Sequence, residues 1–227
     1  LRRDPLAFLC VSQSAVARVV TLETSGTTGP PKRVFFTAED LESTMDFFRW
    51  GMATFTAPGD RVLVLLPGTA PWSVGDLLRQ ALARMGAEAD VMEPPVTTPR
   101  VAERIRRLRP AVLVGRPVQV LALARAAATD RAPPGILRAV LLTTDCVPRA
   151  VVEVVRQTWG AEVYEHYGMT EMGYGGGVEC AARAGYHLRE PDLWFEIVHP
   201  ATGRPVQGPE AGEVVCTTLS RRGMPLL

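Results

Sequence analysis

Residues 61–66 read RVLVLL, an apolar run that follows a single arginine. Residues 58–60 (Pro-Gly-Asp) precede the run and residues 67–68 (Pro-Gly) follow it. Proline and glycine mark turns because of their special backbone conformations, so the run is bounded on both sides. A short apolar run with such boundaries predicts a buried β-strand.

A helix is predicted upstream of this strand, over residues 38–55. Thr37 and Asp40 have the spacing of a capping box, in which two side chains satisfy free backbone N–H groups at a helix N-terminus. Apolar residues then recur at helical spacing, at Leu41, Met45, Phe48 and Met52. We interpret the aromatic residues of this helix, Phe47, Phe48 and Trp50, mainly as core, because a helical apolar stripe usually packs.

The alternation of helix and strand continues downstream. Further strands are predicted at residues 88–92, 111–114, 137–142 and 162–164, and further helices at residues 74–85, 99–108, 117–128 and 148–158. Strands that alternate with helices of about ten or more residues indicate crossover connections, which join parallel strands. We therefore predict an α/β fold with a mostly parallel sheet covered on both faces.

The pattern changes beyond Gly173, where glycines and short alternating runs replace helical periodicity. Residues 193–198 (LWFEIV) and 213–218 (EVVCTT) are two such runs, and they predict a small antiparallel β subdomain appended to the α/β core. The expected domains are thus an α/β nucleotide-binding core at residues 1–175 and a β-rich subdomain at residues 176–227.

Composition excludes several classes of partner. The 25 basic and 24 acidic side chains leave a net charge of +1, without the basic excess of a nucleic-acid binder. No apolar run approaches the roughly 20 residues that span a bilayer, and no secretory signal is visible, so we expect a cytoplasmic protein without a membrane partner. The four cysteines are scattered, which favours free thiols or, in part, metal ligands over a disulfide framework.

Residues 24–32 read TSGTTGPPK and combine glycines and hydroxyl groups with a terminal cation. Glycine lets the backbone approach a ligand closely, backbone N–H groups and hydroxyls donate to phosphate oxygens, and Lys32 adds positive charge. The segment is not a Walker A loop, because Pro31 precedes the lysine and Arg33 follows it. It is nevertheless typical of a polyphosphate-binding loop.

This nine-residue motif resembles the phosphate loop of the adenylate-forming superfamily, which includes acyl-CoA synthetases, adenylation domains and luciferases. Arg33 stands where these proteins usually have glycine. A second segment, Tyr167 to Glu171 (YGMTE), is similar to the superfamily motif Tyr-Gly-x-Thr-Glu at every fixed position. The chain is therefore identified as a member of this superfamily.

The resemblance implies roles for both motifs. Lys32, Thr170 and Glu171 are expected to act in catalysis, with Thr170 on the α-phosphate of ATP and Glu171 holding Mg²⁺, which prefers carboxylate and phosphate oxygens. Tyr167 is expected to line the adenine and acyl pocket. The other expected nucleotide-site residues are Thr24, Ser25, Gly26, Thr27, Thr28, Gly29, His166, Gly168 and Met169.

Between the motifs, a predicted strand ends in Thr143, Thr144 and Asp145, where relatives carry a Gly-Gly-Glu or Gly-Ala-Glu adenine-binding turn. Asp145 is a candidate replacement for the glutamate, although Thr143 and Thr144 lack the backbone freedom of glycine. An ordinary strand-to-helix turn before Pro148 is the alternative.

Residues 167–198 most resemble the phenylacetate-CoA ligase branch. Some members of that branch hold a structural Zn²⁺, and Cys180 and His187 are candidates for two of its ligands. A four-coordinate site needs two more, so an ordinary thiol beside a loop histidine is the alternative. One of the aromatic residues Phe47, Phe48 and Trp50, for example Trp50, is also a candidate for lining the acyl pocket. His166 either touches that pocket or is simply a satisfied polar group.

The resemblance implies ATP-dependent activation of a carboxylic acid to acyl-AMP, then thioester formation with CoA. The partners are thus a small carboxylic acid, ATP (leaving AMP), and CoA or a carrier-protein thiol. In relatives a mobile C-terminal domain contributes a lysine, and we expect that domain to be absent from this chain. A nucleotide-binding domain without turnover, or loading of a carrier protein, are the alternatives.

Overall fold

The structure, a computed structural model, describes residues 4–22, 32–129 and 135–226. Within these ranges the α-helices are α1 (Ala38–Met52), α2 (Val74–Arg84), α3 (Thr98–Leu108), α4 (Pro117–Thr129) and α5 (Arg149–Trp159). The strands are β1 (Val16–Leu22), β2 (Lys32–Thr37), β3 (Arg61–Val64), β4 (Glu88–Val91), β5 (Val112–Gly115), β6 (Ala139–Leu142), β7 (Glu162–Tyr167), β8 (Gly177–Glu179), β9 (Tyr186–Leu188), β10 (Leu193–Val198) and β11 (Glu213–Thr218).

The main sheet has seven strands in the order β4-β3-β5-β6-β7-β8-β9. The pairs from β4 to β7 are all parallel, and β8 joins β7 in the antiparallel sense. Parallel neighbours need crossover connections, which α2 to α5 supply in chain order. The predicted α/β class with a mostly parallel sheet is confirmed.

The central strands are buried on both faces, as expected for a parallel sheet between helices. Leu63 and Val140 point into a core completed by the helices α3, α4 and α5, with Trp159 as its largest member. The alternate residues of the strands, including Val114 and Leu141, face the opposite side of the sheet. The continuous apolar runs in the sequence therefore reflect burial from two sides.

The capping box predicted from Thr37 and Asp40 is present. The Thr37 N–H donates to Asp40 Oδ2 at 2.9 Å, and the Asp40 N–H donates to Thr37 Oγ1 at 3.2 Å. The helix begins at Ala38 as predicted but ends at Met52, three residues before the predicted end at residue 55. Phe55 lies beyond the helix, where its ring stacks on Tyr164 with 4.4 Å between centroids.

Two antiparallel pairs lie outside the main sheet. β10 and β11 pair over their full lengths, from Leu193 opposite Thr218 to Val198 opposite Glu213, which confirms the two strands read from the alternating runs. β1 and β2 form a second pair, which the sequence analysis did not predict. This second pair places Lys32 opposite Leu22.

Contacts within the chain define two compact units that are each discontinuous in sequence. The first contains Leu1–Glu42, Met169–Gly176 and Leu188–Leu227, and the second contains Ser43–Gly168 and Gly177–His187. The sequence predicts continuous domains at 1–175 and 176–227 instead, and those domain boundaries stay a prediction. Among the described helices, none is both long and apolar enough to span a bilayer.

The turn after β6 contains a β-branched residue in the left-handed region, because Thr144 has a φ of 72°. This conformation is costly for threonine and free for glycine. We expect Thr144→Gly to raise the free energy of unfolding by about 1 kcal/mol. Denaturant titration measures the free energy of unfolding of the variant. Thr144→Val keeps the branching at Cβ and is the control, for which we expect no increase in stability. Equal stability of the glycine and valine variants would contradict the strain at this position.

Candidate functional site

Lys32 and Glu171 form an ion pair within the first unit. Lys32 Nζ lies 2.8 Å from Glu171 Oε1, although the two residues are 139 positions apart in sequence. Lys32 is the first residue of β2, and Glu171 lies in a single 3₁₀ turn, Thr170–Met172. Both side chains are half-buried, so a ligand has access to them. The structure therefore brings together one residue from each of the two sequence motifs.

A buried arginine holds the backbone beside this pair. Arg221 Nη1 donates to the Glu171 carbonyl at 2.6 Å, and Nη2 donates to the Phe35 carbonyl at 2.8 Å. The guanidinium lies 4.4 Å from the centroid of the Phe36 ring, a favourable cation–π geometry. Burial lowers the pKa of Arg221 from its usual value. Arg221 thus links β2, which carries Lys32, to the turn that carries Glu171.

The Asp40 carboxylate fixes the segment that contains Arg221. Besides the capping box, it accepts the Arg222 N–H at 2.6 Å and the Gly223 N–H at 3.0 Å. A Cβ at Gly223 would lie 2.9 Å from the Phe35 carbonyl oxygen and 3.0 Å from Asp40 Oδ2, so this position has no room for a side chain. One carboxylate therefore anchors the start of α1 and the 222–223 backbone together.

The remaining residues of the predicted phosphate loop, Thr24, Ser25, Gly26, Thr27, Thr28 and Gly29, lie outside the described residues. Thr170 begins the turn that contains Glu171, and Met169 is exposed beside it. The roles assigned to these residues by resemblance stay predictions.

In the second unit, His166 and Thr143 form a hydrogen-bonded pair. Thr143 Oγ1 and His166 Nδ1 lie 2.8 Å apart. The other ring nitrogen, Nε2, is buried and has no hydrogen-bond partner among the described residues. Burial lowers the pKa of His166 from 6.5 to about 4, because the charged ring would lose its hydration. At neutral pH the imidazole is therefore uncharged.

His166 and Thr143 line an otherwise apolar cavity between the sheet and the helices α1 and α2. Its other walls are Phe47, Phe48, Gly51, Met52, Leu66, Val74, Leu78, Val114, Leu141 and Val178. The cavity measures about 40 Å³ as the space open to the centre of a water molecule. One water needs roughly 10–15 Å³ on this measure, so there is room for a small group.

Trp50 does not line this cavity and is exposed, which corrects its interpretation as core; its role at an acyl pocket stays a prediction. Its side chain is 67% exposed, and the Arg49 guanidinium lies 4.8 Å from its ring centroid. Phe48 is buried and Phe47 is half-buried. The stripe interpretation thus holds for the two phenylalanines, whereas Trp50 lies on the solvent side of the helix.

Tyr167 belongs to a cluster of aromatic and acidic residues in the second unit. Its ring lies 6.2 Å from that of Tyr186, whose hydroxyl donates to Glu165 Oε2 at 3.0 Å. Burial, together with this carboxylate, raises the pKa of Tyr186 to about 12. Burial and the charge of Glu165 also raise the pKa of Glu179. The Tyr186 hydroxyl therefore stays protonated at neutral pH and acts as a hydrogen-bond donor.

The predicted adenine-binding turn is solvent-exposed at both Thr144 and Asp145. Gly168 is half-buried and directly follows Tyr167. Exposure leaves these residues accessible, but an adenine-binding role and an ordinary turn are equally consistent with it. Their assignment stays a prediction.

Cys180 and His187 do not form a complete metal site. A structural Zn²⁺ needs four ligands, whereas the described residues contain no group of three or more His, Cys, Asp or Glu side chains that could hold a metal ion. His187 is exposed, and Cys180 Sγ accepts the Ala182 N–H at 3.4 Å. These two residues alone do not fit a structural zinc.

Sequence reasoning missed two residues of the site. Arg221 has no signal in the sequence, since an arginine in a loop is normally solvated. Thr143 was considered only for its backbone, and its contact with His166 depends on β6 and β7 being parallel neighbours. Strand order is set by tertiary packing, so this pair is visible only in the structure.

Comparison with known proteins places the chain in a family. A sequence model of the family described as "AMP-binding enzyme" matches residues 19–219, and the chain belongs to this family. Similar proteins include the phenylacetate-coenzyme A ligases of Thermus thermophilus (28% identical) and Escherichia coli K12 (26%), in each case over 98% of this chain. The chain spans about half the length of these curated relatives, 50% and 52% respectively.

Solved structures share the fold. A 2-hydroxyisobutyryl-CoA ligase, determined in an open conformation with 2-HIB-AMP and CoA, superposes with a TM-score of 0.80 at 22% identity, over 96% of this chain and 52% of that one. An anthranilate CoA ligase in complex with anthranoyl-AMP gives 0.70 at 19% identity, over 88% and 39%. At these identities the similarity shows the fold alone.

We expect Arg221→Met to lower the free energy of unfolding by about 2 kcal/mol, because it removes the charged donors of the buried Phe35 carbonyl and the part-buried Glu171 carbonyl. Arg222→Met is the matched control: its side chain is 70% exposed and pairs with the exposed Glu39, so its loss costs little. Urea titration measures both variants. Equal stabilities would contradict the anchoring role of Arg221.

The lowered pKa of His166 makes stability depend on pH. Between pH 6.5 and about 4 the unfolded chain binds more protons than the folded one. The contribution of neutral His166 is therefore complete above pH 6.5 and is lost as the pH falls, by roughly 3 kcal/mol in all. We expect His166→Gln to reduce this loss, measured by denaturant titration at pH 7 and pH 4.5. His199→Gln, which removes an exposed histidine, is the control; identical pH profiles for all three proteins would rule out the shift.

Proposed function

We propose that this protein activates a carboxylic acid with ATP, forming acyl-AMP and pyrophosphate, and passes the acyl group to the thiol of CoA. Membership of the AMP-binding enzyme family supports this proposal, as do the relatives named as phenylacetate-coenzyme A ligases. The observation that carries it is the contact of 2.8 Å between Lys32 and Glu171. This contact places a cation and a carboxylate, one from each motif, side by side.

The first step needs charge neutralisation above all. A carboxylate oxygen of the acid attacks the α-phosphorus, a new O–P bond forms, and the bond from this phosphorus to the bridging oxygen breaks to release pyrophosphate. Both reactants are anions, so positioned positive charge lowers the barrier. Lys32 supplies that charge once a phosphate oxygen takes the place of Glu171. The Thr170 hydroxyl, one residue from Glu171, is available to donate to the α-phosphate.

Glu171 fits a role as the Mg²⁺ ligand. Its carboxylate is accessible and uses Oε1 for Lys32, and Mg²⁺ commonly takes one or two carboxylates together with substrate phosphates. When bound, the ion would neutralise phosphate charge. Glu171 would then bind the ion and Lys32 a phosphate oxygen, and the two side chains would no longer bind each other.

The second step transfers the acyl group from AMP to a thiol. The thiol gives up its proton to solvent, its sulfur attacks the acyl carbon and the C–S bond forms. The bond between the acyl carbon and the phosphate oxygen breaks, and AMP leaves with that oxygen. CoA is the acceptor we propose, on the basis of the relatives' names. A carrier-protein thiol shares the first step, so supplying each acceptor in turn to the acyl-AMP state separates the two.

Pyrophosphate release tests the first step directly. The natural protein is mixed with ATP, Mg²⁺ and a panel of aryl and short alkyl acids, and we expect release that depends on the acid. Lys32→Ala should lower the rate by a factor of about 10² to 10³, the usual effect of removing one stabilising donor. Arg33→Ala is the matched control, because it removes the same charge from the next, exposed residue of β2.

Two outcomes would contradict the proposal. ATP binding without pyrophosphate release for any acid would indicate a nucleotide-binding domain without turnover. Equal effects of the Lys32 and Arg33 substitutions would show that the ion pair is unrelated to catalysis. Thermal denaturation of both variants, with and without ATP, separates loss of folding from loss of function.

Two finer expectations remain predictions beside this proposal. Zinc binding that involves Cys180 and His187 is tested by metal analysis of the purified protein. The cytoplasmic location expected from the sequence is tested by fractionation of the source cells.

A further inference from the structure

The position of the proton on His166 follows from its partner. The Thr143 side chain is buried, and its hydroxyl hydrogen bonds to His166 Nδ1 at 2.8 Å. If Nδ1 carried the proton, the Thr143 hydroxyl proton and Nε2 would both lack a partner among the described residues. If the hydroxyl donates to Nδ1, only Nε2 lacks one, so we assign the hydroxyl as the donor and Nδ1 as the acceptor. A neutral imidazole carries one proton, which must then be on Nε2.

Nε2 is therefore a buried N–H donor, and no described residue accepts its proton. The rest of the cavity wall is made of aliphatic, aromatic and glycine residues apart from Thr143. A buried water usually makes two to four hydrogen bonds, which these walls do not offer. A charged group would be strongly disfavoured here by desolvation. The ligand group that suits this cavity is small and apolar and carries one uncharged oxygen to accept the Nε2 proton.

We propose that this cavity selects among carboxylic acids for a short, apolar body that bears a hydroxyl or carbonyl oxygen, and that His166 Nε2–H donates to that oxygen. The proposal rests on the proposed function, because acid activation is what makes the cavity a substrate pocket. The chain also supports it, since His166 directly precedes Tyr167 of the second motif. Phenylacetate, the acid in the relatives' names, has no oxygen besides its carboxylate.

The size of the cavity limits the acid further. With about 40 Å³ open to the centre of a water molecule, it accepts a group of a few heavy atoms and excludes a long chain. Phe47 and Phe48 lie on one side of His166, with ring centroids 5.9 and 6.3 Å from the imidazole. They restrict the ring plane of His166 and so the direction of its donor.

Matched acids test the proposal in the natural protein without any substitution. Each set contains the hydroxyl, keto, methyl and unsubstituted forms of one short aryl or branched alkyl acid, with the substituent at each position in turn. For at least one set we expect kcat/KM for pyrophosphate release to be about tenfold higher with the oxygen than with the methyl group, since the latter leaves the donor unpaired.

Three variants assign this preference to His166. His166→Phe removes the donor and should bring the ratio of oxygenated to methyl acid to about one. His166→Gln places an amide N–H near Nε2 and should retain part of the preference. Thr143→Val removes the hydroxyl that donates to Nδ1, so either ring nitrogen can then carry the proton. Nε2 can therefore also act as an acceptor, and kcat/KM for acids with an amino group should rise relative to kcat/KM for acids with a carbonyl group.

The tautomer itself gives a readout that is independent of activity. In ¹⁵N-histidine spectra of the protein, we expect the His166 proton on Nε2, and a shift of that signal when an oxygenated acid is added. A proton on Nδ1, or equal kcat/KM for oxygenated and methyl acids in every set, would overturn the inference while leaving the proposed function intact.

Absence of pyrophosphate release with every acid would instead contradict the proposed function. In that case thermal shifts decide: stabilisation by oxygenated acids in the natural protein but not in His166→Phe supports the cavity assignment, and any other pattern overturns it.

Discussion

The arrangement of charges in the first unit depends on the Asp40 carboxylate. It begins α1, accepts two backbone N–H groups from residues 222–223, and thereby sets the position of Arg221. Arg221 in turn binds carbonyl groups of β2 and of the turn that carries Glu171. Hydrogen bonds of Asp40 and Arg221 thus connect the N-terminal cap of α1 to the two segments that carry Lys32 and Glu171. A buried carboxylate with several N–H donors is a rigid anchor, because each lost donor would leave charge unpaired.

The second unit uses the opposite chemistry. Its cavity is apolar, and its one titratable wall residue, among those described, is kept neutral by burial. The ion pair and the apolar cavity therefore lie in different units of the chain. Such a division suits a reaction in which one substrate is a polyanion and the other is an organic acid, because the first needs fixed charges and the second needs a dry surface.

The periodic elements of the second unit were predictable from sequence because burial on two faces imposes apolar runs on strands and stripes on helices. The strand at Arg61–Val64 and the helix at Val74–Arg84 both lie within one or two residues of their predicted bounds. The β1–β2 pair was missed because its alternation is weak and its neighbour, the segment 24–31, reads as a loop.

Lys32 and Glu171 were found through motifs. Arg221 and the Thr143–His166 pair were not, since their roles arise from strand order and from a return of the chain after residue 218. The interpretation of Trp50 as core was wrong because helical spacing alone does not decide which edge of an apolar stripe meets solvent.

Under the proposed function, the half-buried ion pair of Lys32 and Glu171 also has a consequence for nucleotide binding. The two opposite charges lie 2.8 Å apart. At distances well beyond this separation their electric fields largely cancel, so the pair exerts little long-range attraction on a polyanion. In the proposed reaction, binding of ATP with its cation would be an exchange. The pair between Lys32 and Glu171 would be broken, Lys32 would pair with phosphate and Glu171 with the cation, so each group would keep one contact of opposite charge. An exchange of this kind releases few counterions. Nucleotide affinity at these two residues should consequently be less sensitive to ionic strength than it would be at an isolated lysine, and selective for the nucleotide and metal arriving together.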